Sequence, residues 1–264
     1  MKRRWNWPIW VGFVVVVIGL FSYEFFARFP ITRDFPWANF LLFGIGLALL
    51  LVGLFRAFGR PQVYRGKIFG SIFAAMAVLF VAFFSYVIFY VLHQVPASAG
   101  APRVGQRAPD FLLLDQNGKP VGLGDLLRGP SGPKPVALIF YRGFWCLLCN
   151  SELRSFQQRL PDFAARGITV VAISVDPPDI NKRQSQKLGY TFPLLSDPSA
   201  KVIRRYDVLH PGAGPKGADI ACPAEFLLDS DGIVRWVNLT DNIAVRARPD
   251  QVLEAFSQLS PAGR

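Results

Sequence analysis

Three long apolar runs fill most of the first hundred positions, and short apolar stretches alternating with polar ones make up the rest. The runs are Pro8–Phe26, Ala38–Phe55 and Ile68–Leu92. Each approaches the roughly 20 residues that a helix needs to cross about 30 Å of hydrocarbon. The third is charge-free over 25 residues, too long for an ordinary buried helix. The first follows Met-Lys-Arg-Arg, as a signal peptide would, but the residues after it, SYEFFARFP, offer no small-residue cleavage site. It is read as an uncleaved span, so residues 1–92 are expected to form an anchor of three transmembrane helices, at about 8–26, 38–55 and 68–92.

Residues 93–107, HQVPASAGAPRVGQR, are rich in Pro, Ala and Gly and read as a linker. Beyond it, over residues 108–260, the period changes. Asp110–Leu114 and Pro120–Val121 read as a hairpin around Asn117-Gly118. Pro135–Tyr141 and Ile168–Val175 are continuous apolar runs, as strands buried on both faces should be. Between them Leu147–Arg166 shows helical spacing, with Leu153, Phe156, Leu160 and Phe163 on one stripe. Ile180–Leu188 and Ser199–Tyr206 read as helices, Phe192–Leu195 as a short extended piece, and Ala224–Asp229 with Ile233–Asn238 as a hairpin turned at Asp231-Gly232. Pro249–Leu259 closes the chain as a helix with proline in its first turn. The alternation predicts an α/β fold with a central mixed sheet.

Charge changes the picture in one respect. The chain has a formal net charge of +11, and its first hundred residues contain only two acidic ones, Glu24 and Asp34. A basic protein of this kind invites a nucleic-acid reading, but the cations flank apolar runs, where they set membrane orientation instead. Lys2, Arg3 and Arg4 precede the first run, and Arg56, Arg60, Arg65 and Lys67 separate the second from the third. These two segments are expected to face the cytoplasm. Three spans then place the domain after Leu92 outside it, in a multi-pass inner (cytoplasmic) membrane protein with no nucleic-acid partner.

All three cysteines, Cys146, Cys149 and Cys222, lie in the second half. Cys146-Leu147-Leu148-Cys149 follows a buried strand and opens a helix. A helix start presents free N–H groups and partial positive charge, which stabilise a thiolate there. Positions i and i+3 meet on one face of the first turn, close enough for a disulfide to form. This arrangement points to redox chemistry. Metal binding is the competing reading, but only Cys222, His93 and His210 remain as soft ligands. Trp145 is placed to shield the dithiol and to meet a partner. Arg142 either holds a thiolate or sits in solvent. Glu152 either complements the helix dipole or shuttles a proton. Cys222 is either a resolving thiol or a buried hydrophobe. No flavin, haem or nucleotide motif is present, and no cofactor is expected.

The stretches VALIFYRGFWCLLCNSEL, ITVVAISVDPP, FPLLSDPSAKVIRRYDV and CPAEFLLDSDGIVRWVN resemble the AhpC/TSA (peroxiredoxin-like) branch of the thioredoxin superfamily, over about residues 104–260. The resemblance implies a thioredoxin-like fold, a protein disulfide or peroxide as substrate, and an external thiol reductant or oxidant. Peroxiredoxins end a P-x-x-x-T-x-x-C motif on their peroxidatic cysteine. Here the cysteine falls on Cys149, but Cys146 stands for the threonine and Arg142 for the proline. The family's arginine ahead of the strand AEFLLD is replaced by Ala221-Cys222-Pro223. The W-C-x-x-C dithiol is similar instead to thioredoxin, whose attacking cysteine maps to Cys146. Pro223 is similar to that fold's cis-proline. The expectation is a thiol–disulfide oxidoreductase, with a thiol peroxidase based on Cys149 as the alternative. A copper-binding module is less favoured, because copper-delivery relatives of this fold carry C-x-x-x-C.

Overall fold

A computed structural model describes residues 4–27, 29–33, 35–129 and 132–259. Lys2, Arg3 and Asp34 lie outside the described residues, as does residue 260 at the expected domain end. The chain divides into two compact units, Met1–His93 and Gln94–Arg264.

The first unit is helical: α1 (Trp7–Phe21), α2 (Tyr23–Phe26), α3 (Pro30–Arg33), α4 (Trp37–Gly59) and α5 (Lys67–Phe89), followed by a 3-10 turn at Val91–His93. Both α4 and α5 have 23 residues, about 35 Å of helix at 1.5 Å per residue. Their segments Trp37–Gly59 and Lys67–His93 are long and apolar enough to cross a membrane. Apolar side chains such as Leu41, Phe55, Leu79 and Phe83 point outward, as lipid-facing positions do. The expectation of three uninterrupted spans needs correction. α1 has 15 residues, about 22 Å, and is separated from α2 by a turn at Ser22. The Ser22 hydroxyl bonds back to the Gly19 carbonyl at 3.3 Å, and the buried Asn39 amide of α4 donates to that carbonyl at 2.7 Å and to Ser22 Oγ at 3.3 Å. Side chains that compete for helix carbonyls in this way bend or end a helix. α1 lies closely along α4. A Cβ on Gly12 would stand 2.7 Å from the Gly46 carbonyl oxygen, so this crossing requires glycine, as membrane helix pairs often do.

The second unit contains β1 (Leu112–Leu114), β2 (Pro120–Gly122), α6 (Leu123–Leu127), β3 (Val136–Phe140), α7 (Leu147–Gln158), α8 (Leu160–Ala165), β4 (Thr169–Ser174), α9 (Pro178–Leu188), β5 (Leu194–Ser196), α10 (Lys201–Arg205), β6 (Leu209–His210), β7 (Ile220–Ala221), β8 (Ala224–Leu228), β9 (Val234–Leu239) and α11 (Pro249–Leu259). Seven strands form one mixed sheet in the order β2-β1-β5-β4-β3-β8-β9. β3 pairs parallel with β4 and antiparallel with β8, so it is central. Its residues alternate between two cores. Val136, Leu138 and Phe140 pack with Ile203, Tyr206 and Phe226, while Ala137 and Ile139 pack with Leu153, Phe156, Phe163 and Leu253. Helices on both faces explain why β3 reads as an unbroken apolar run.

Leu147–Arg166 is two helices rather than the single one expected. Pro161 has no N–H for the next intrahelical bond, and the chain turns at Arg159 before restarting as α8. The apolar stripe survives the break, with Leu153, Phe156 and Phe163 fully buried. The β6–β7 pair was too short to leave a periodic signal. It places His210 opposite Ile220 in a two-stranded ladder rather than in a loop.

Candidate redox site

β3 ends at Phe140 in the middle of the sheet, and the next nine residues build the site. Gly143 has φ +146°, and a Cβ there would stand 2.9 Å from Trp145 Nε1 and 3.2 Å from Asp176 Oδ1. Only glycine allows the chain to turn this closely. The turn is pinned from below. The Phe144 N–H donates to Asp176 Oδ2 at 2.8 Å, and Ser174 Oγ donates to the same oxygen at 3.0 Å. Asn150 Nδ2 donates to the Phe144 carbonyl at 2.9 Å, and Gln184 Nε2 holds Asn150 Oδ1 at 2.6 Å. Tyr141, fully buried, donates to Asn181 Oδ1 at 2.9 Å.

Cys146 is the N-cap of α7. Its sulfur accepts the N–H of Cys149 at 3.3 Å. An anionic sulfur is the better acceptor for these N–H groups, and the helix dipole favours it further. Cys146 is drawn down from its ordinary value of 9.0 to about 6, chiefly by hydrogen bonding from the Cys149 side chain, with Arg246 and Arg142 assisting against the cost of burial. Cys149 moves the opposite way. It is wholly buried, and burial together with the bond it gives to Cys146 raises its pKa well above the ordinary value. The two thiols therefore differ in both acidity and exposure. Cys146 retains slight exposure, and Phe144 and Leu147 beside it are largely exposed apolar side chains.

Behind Cys149 lies a charged cluster that the sequence did not reveal. Arg246, from the loop before α11, directs Nη2 at Cys149 Sγ (3.6 Å) and Nε at Glu152 Oε2 (3.1 Å). The side chains of Arg246 and Glu152 are fully buried. Nη1 is held by the carbonyls of Ile243 and Val245, so the other edge of the guanidinium must face the cysteine and the carboxylate. Glu225 joins from β8, opposite Ile139, and its Oε2 accepts from Asn238 Nδ2 at 2.6 Å. Burial and the neighbouring Glu225 raise Glu152 well above the usual carboxylate range. Burial alone would lower the Arg246 pKa, but Cys149, Glu152 and Cys146 more than offset it and keep the guanidinium charged. Arg246 sits two residues from the exposed Arg248, in a segment with no periodicity. Only the return of the chain beneath α7 tells them apart.

The other expected site residues fall into two groups. Trp145 and Arg142 lie beside the dithiol, with the guanidinium 5.2 Å from the indole ring and Nη2 donating to the Ala213 carbonyl at 3.2 Å. Arg142 is thus turned away from Cys149, and the arginine at that sulfur is Arg246. Cys222 packs in the opposite core, with Tyr206 and Phe226, and burial pushes its thiol up to about 11. The cis reading of Pro223 is corrected: no cis peptide bond occurs among the described residues. Cys222 continues the extended course of β7, its N–H bonding the Val208 carbonyl at 2.7 Å. A trans bond carries such a run directly into β8, and trans is the default even before proline. His210 keeps a low pKa through burial and the nearby Arg142. Among the described residues no three His, Cys, Asp or Glu side chains are grouped as a metal centre would require.

The AhpC/TSA family model matches residues 104–237. Alkyl hydroperoxide reductase E of Mycobacterium tuberculosis is 38% identical over 145 residues, covering 54% of this chain and 89% of that protein. Thiol-disulfide oxidoreductase ResA of Geobacillus thermodenitrificans is 33% identical over 138 residues, covering 52% and 70%. Among solved structures, peroxidoxin BcpB from Mycobacterium tuberculosis superposes with a TM-score of 0.53 at 27% identity, over 60% of this chain and 98% of that one. The chain therefore belongs to the AhpC/TSA family, and it is a thioredoxin-fold oxidoreductase.

Proposed function

We propose that the protein is a membrane-anchored thiol–disulfide oxidoreductase. The observation that carries this reading is the asymmetry of the dithiol: Cys146, an acidic thiol capping a helix, and Cys149, a neutral thiol buried one turn behind it. In the reductive direction the Cys146 thiolate attacks one sulfur of a partner's disulfide. A mixed disulfide forms and the partner's other sulfur leaves as a thiolate. Cys149 then attacks Cys146, releasing the partner as a second thiolate and closing the Cys146–Cys149 bond. Two electrons pass to the partner, and an external thiol restores the dithiol. Phe144, Trp145 and Leu147 supply the apolar rim on which a partner chain docks. The likeness to ResA supports this reading.

A second reading has its own support. Arg246 sits on Cys149, where a peroxidase needs a cation, and the M. tuberculosis relative is an alkyl hydroperoxide reductase. Against it, Cys149 is fully enclosed and its thiol is the less acidic of the two. The full chain in detergent micelles decides between them. The expected result is rapid exchange with a protein disulfide, lost in Cys146→Ser, and slow consumption of hydrogen peroxide. Fast peroxide turnover abolished by Cys149→Ser but retained in Cys146→Ser would establish the peroxidase instead.

For the anchor, we propose that α4 and α5 cross the membrane and that α1 continues through Ser22 into α2 as a third crossing. Ser22 itself has helical angles (φ −74°, ψ −8°), and the Phe26 N–H bonds to its carbonyl at 3.0 Å. Three crossings and the cationic α4–α5 loop put the redox domain outside the cytoplasm. Alkaline phosphatase fused to the C-terminus should then be active. A silent phosphatase fusion alongside an active cytoplasmic reporter would leave two crossings.

A further inference from the structure

The helical unit holds a cavity of about 630 Å³. Its walls come from the residues leading into α1, the α4–α5 loop and the first turn of α5. Backbone bonds fasten the first two of these together, from the Arg4 N–H to the Val63 carbonyl at 2.6 Å and from the Arg65 N–H to the Arg4 carbonyl at 3.2 Å. Gly66 turns the corner into α5 with φ +113°, and a Cβ there would meet Ile9 Cδ1 at 2.9 Å. The lining is of two kinds: Asn6, Arg65 and Lys67 are polar or cationic, whereas Trp10, Ile68 and Phe69 are apolar and exposed. Positive charge gathers here without an answering carboxylate. Glu24, the one acid of this unit among the described residues, lies beyond the far end of α1. Lys67 Nζ lies 5.3 Å from the Phe58 ring, which attracts the cation without neutralising it. Gly66 is the N-cap of α5 and offers no side chain, and no acid stands in the first turn, so the free N–H groups there add partial positive charge. Asn6 is an independent sign of a ligand. It is 2% exposed. Its Nδ2 donates to the Gly53 carbonyl at 2.7 Å, which fixes the amide, and its Oδ1 receives no hydrogen bond among the described residues. A buried acceptor of this kind calls for a donor.

We propose that this cavity seats one acidic phospholipid whose headgroup carries hydroxyls, of the phosphatidylglycerol class. This rests on the membrane-anchor reading above, which puts the α4–α5 loop at the cytoplasmic face. The lipid phosphate lies against Arg65, Lys67 and the first N–H groups of α5, the arrangement that binds phosphate at other helix starts. A headgroup hydroxyl supplies the donor that Asn6 Oδ1 lacks. The acyl chains leave over Trp10, Ile68 and Phe69, whose exposed faces continue into the bilayer. Both halves of the lining are needed to choose the ligand. A zwitterionic headgroup would bring a cation of its own beside Arg65 and Lys67. A soluble phosphate ester would leave the apolar side chains uncovered. Basic and aromatic residues at a membrane surface attract acidic lipids in general. The cavity adds a fixed seat for a single molecule, because its walls are held by backbone bonds and a glycine corner.

The test is native mass spectrometry of the full chain released from detergent micelles, after addition of phosphatidylglycerol or phosphatidylcholine with the same acyl chains. The expected result is one phosphatidylglycerol retained per chain, bound at least tenfold more tightly than phosphatidylcholine. Arg65→Gln and Lys67→Gln should each weaken it by about fivefold. Arg60→Gln removes the same charge from the same loop but does not line the cavity, and it should leave binding unchanged. Soluble glycerol 1-phosphate in large excess should not displace the lipid. Equal retention of the two lipids would overturn the proposal, as would wild-type binding in the Arg65 and Lys67 variants. An equal loss in Arg60→Gln would reduce the effect to diffuse attraction, and displacement by glycerol 1-phosphate would make the site one for a soluble phosphate; either result overturns the lipid. Should a variant fail to fold, quenching of tryptophan fluorescence in the unaltered chain by brominated phosphatidylglycerol, largely lost in the Trp5→Phe/Trp10→Phe double variant, reads the same contact, and equal quenching in that variant would count against it. Recovery of the chain in the soluble fraction without detergent would overturn the anchor reading itself, whereas an integral chain with no lipid preference would overturn this proposal alone.

Discussion

The acidity of Cys146 is the property on which most of the chemistry depends, and its size follows from the site. A fall from 9.0 to about 6 corresponds to about 4 kcal/mol of preference for the thiolate. At pH 5.5 about a quarter of Cys146 is ionised, against about 0.03% of an ordinary thiol. A more acidic thiolate is also a weaker nucleophile; with a Brønsted coefficient near 0.45 the three-unit fall costs about 20-fold. The net gain at pH 5.5 is about 35-fold, shrinking to about fourfold at pH 7. Alkylation of the reduced full chain by iodoacetamide, followed by mass spectrometry, should therefore show Cys146 reacting with a midpoint near pH 6 and Cys149 silent. The same shift makes stability pH-dependent. The folded pKa lies below the unfolded one, so the stabilisation is complete above pH 9, falls as pH drops, and is lost below about 6; at pH 7 it is about 1.4 kcal/mol. Because the Cys149 side chain is the largest cause of the shift, Cys149→Ala should move the alkylation midpoint upward by a unit or more. A Cys146 midpoint at pH 8 or above in the unaltered protein, or one unmoved by Cys149→Ala, would refute the reasoning.

Three further outcomes are expected. Arg246→Leu strands the buried Glu152 carboxyl and should destabilise the redox unit by about 3–5 kcal/mol, read by pulse proteolysis in urea, with Glu152→Leu added to it recovering part of the loss; a cost below 1 kcal/mol would contradict the cluster. Gly143→Ala places a Cβ against Trp145 and Asp176 in a backbone region that disfavours side chains, and should cost about 1–3 kcal/mol while releasing the Phe144–Asp176 bond; an unchanged thermal midpoint would count against the close turn. Gly46→Ile would bring a Cβ within 2.8 Å of the Gly12 carbonyl oxygen, so hydrogen exchange of α1 should accelerate in micelles, and unchanged protection would mean that α1 does not depend on this contact.

Much of this protein can be read from local order in its sequence. The unbroken apolar β3 and β4, the hairpins at Asn117-Gly118 and Asp231-Gly232 and the helix from Pro249 are all set by residues near one another in the chain, because period and turn chemistry act over a few positions. The dithiol was legible for the same reason: strand, turn and helix start are consecutive. What the sequence could not convey depends on residues far apart. The turn between α1 and α2 at Ser22 is met by an amide from Asn39 in α4. The cation at Cys149 arrives from position 246, nearly one hundred residues later, and Arg142, which the sequence left either at a thiolate or in solvent, is drawn to the Ala213 carbonyl and the Trp145 ring. Glu152 read as either a first-turn acid suited to a helix dipole or a proton shuttle, and it is buried against Arg246 because the loop before α11 returns beneath α7. A charge becomes functional or inert according to whether water is excluded around it and which opposite charge is brought near, and burial and long-range pairing are decided by how the chain packs rather than by neighbours in sequence.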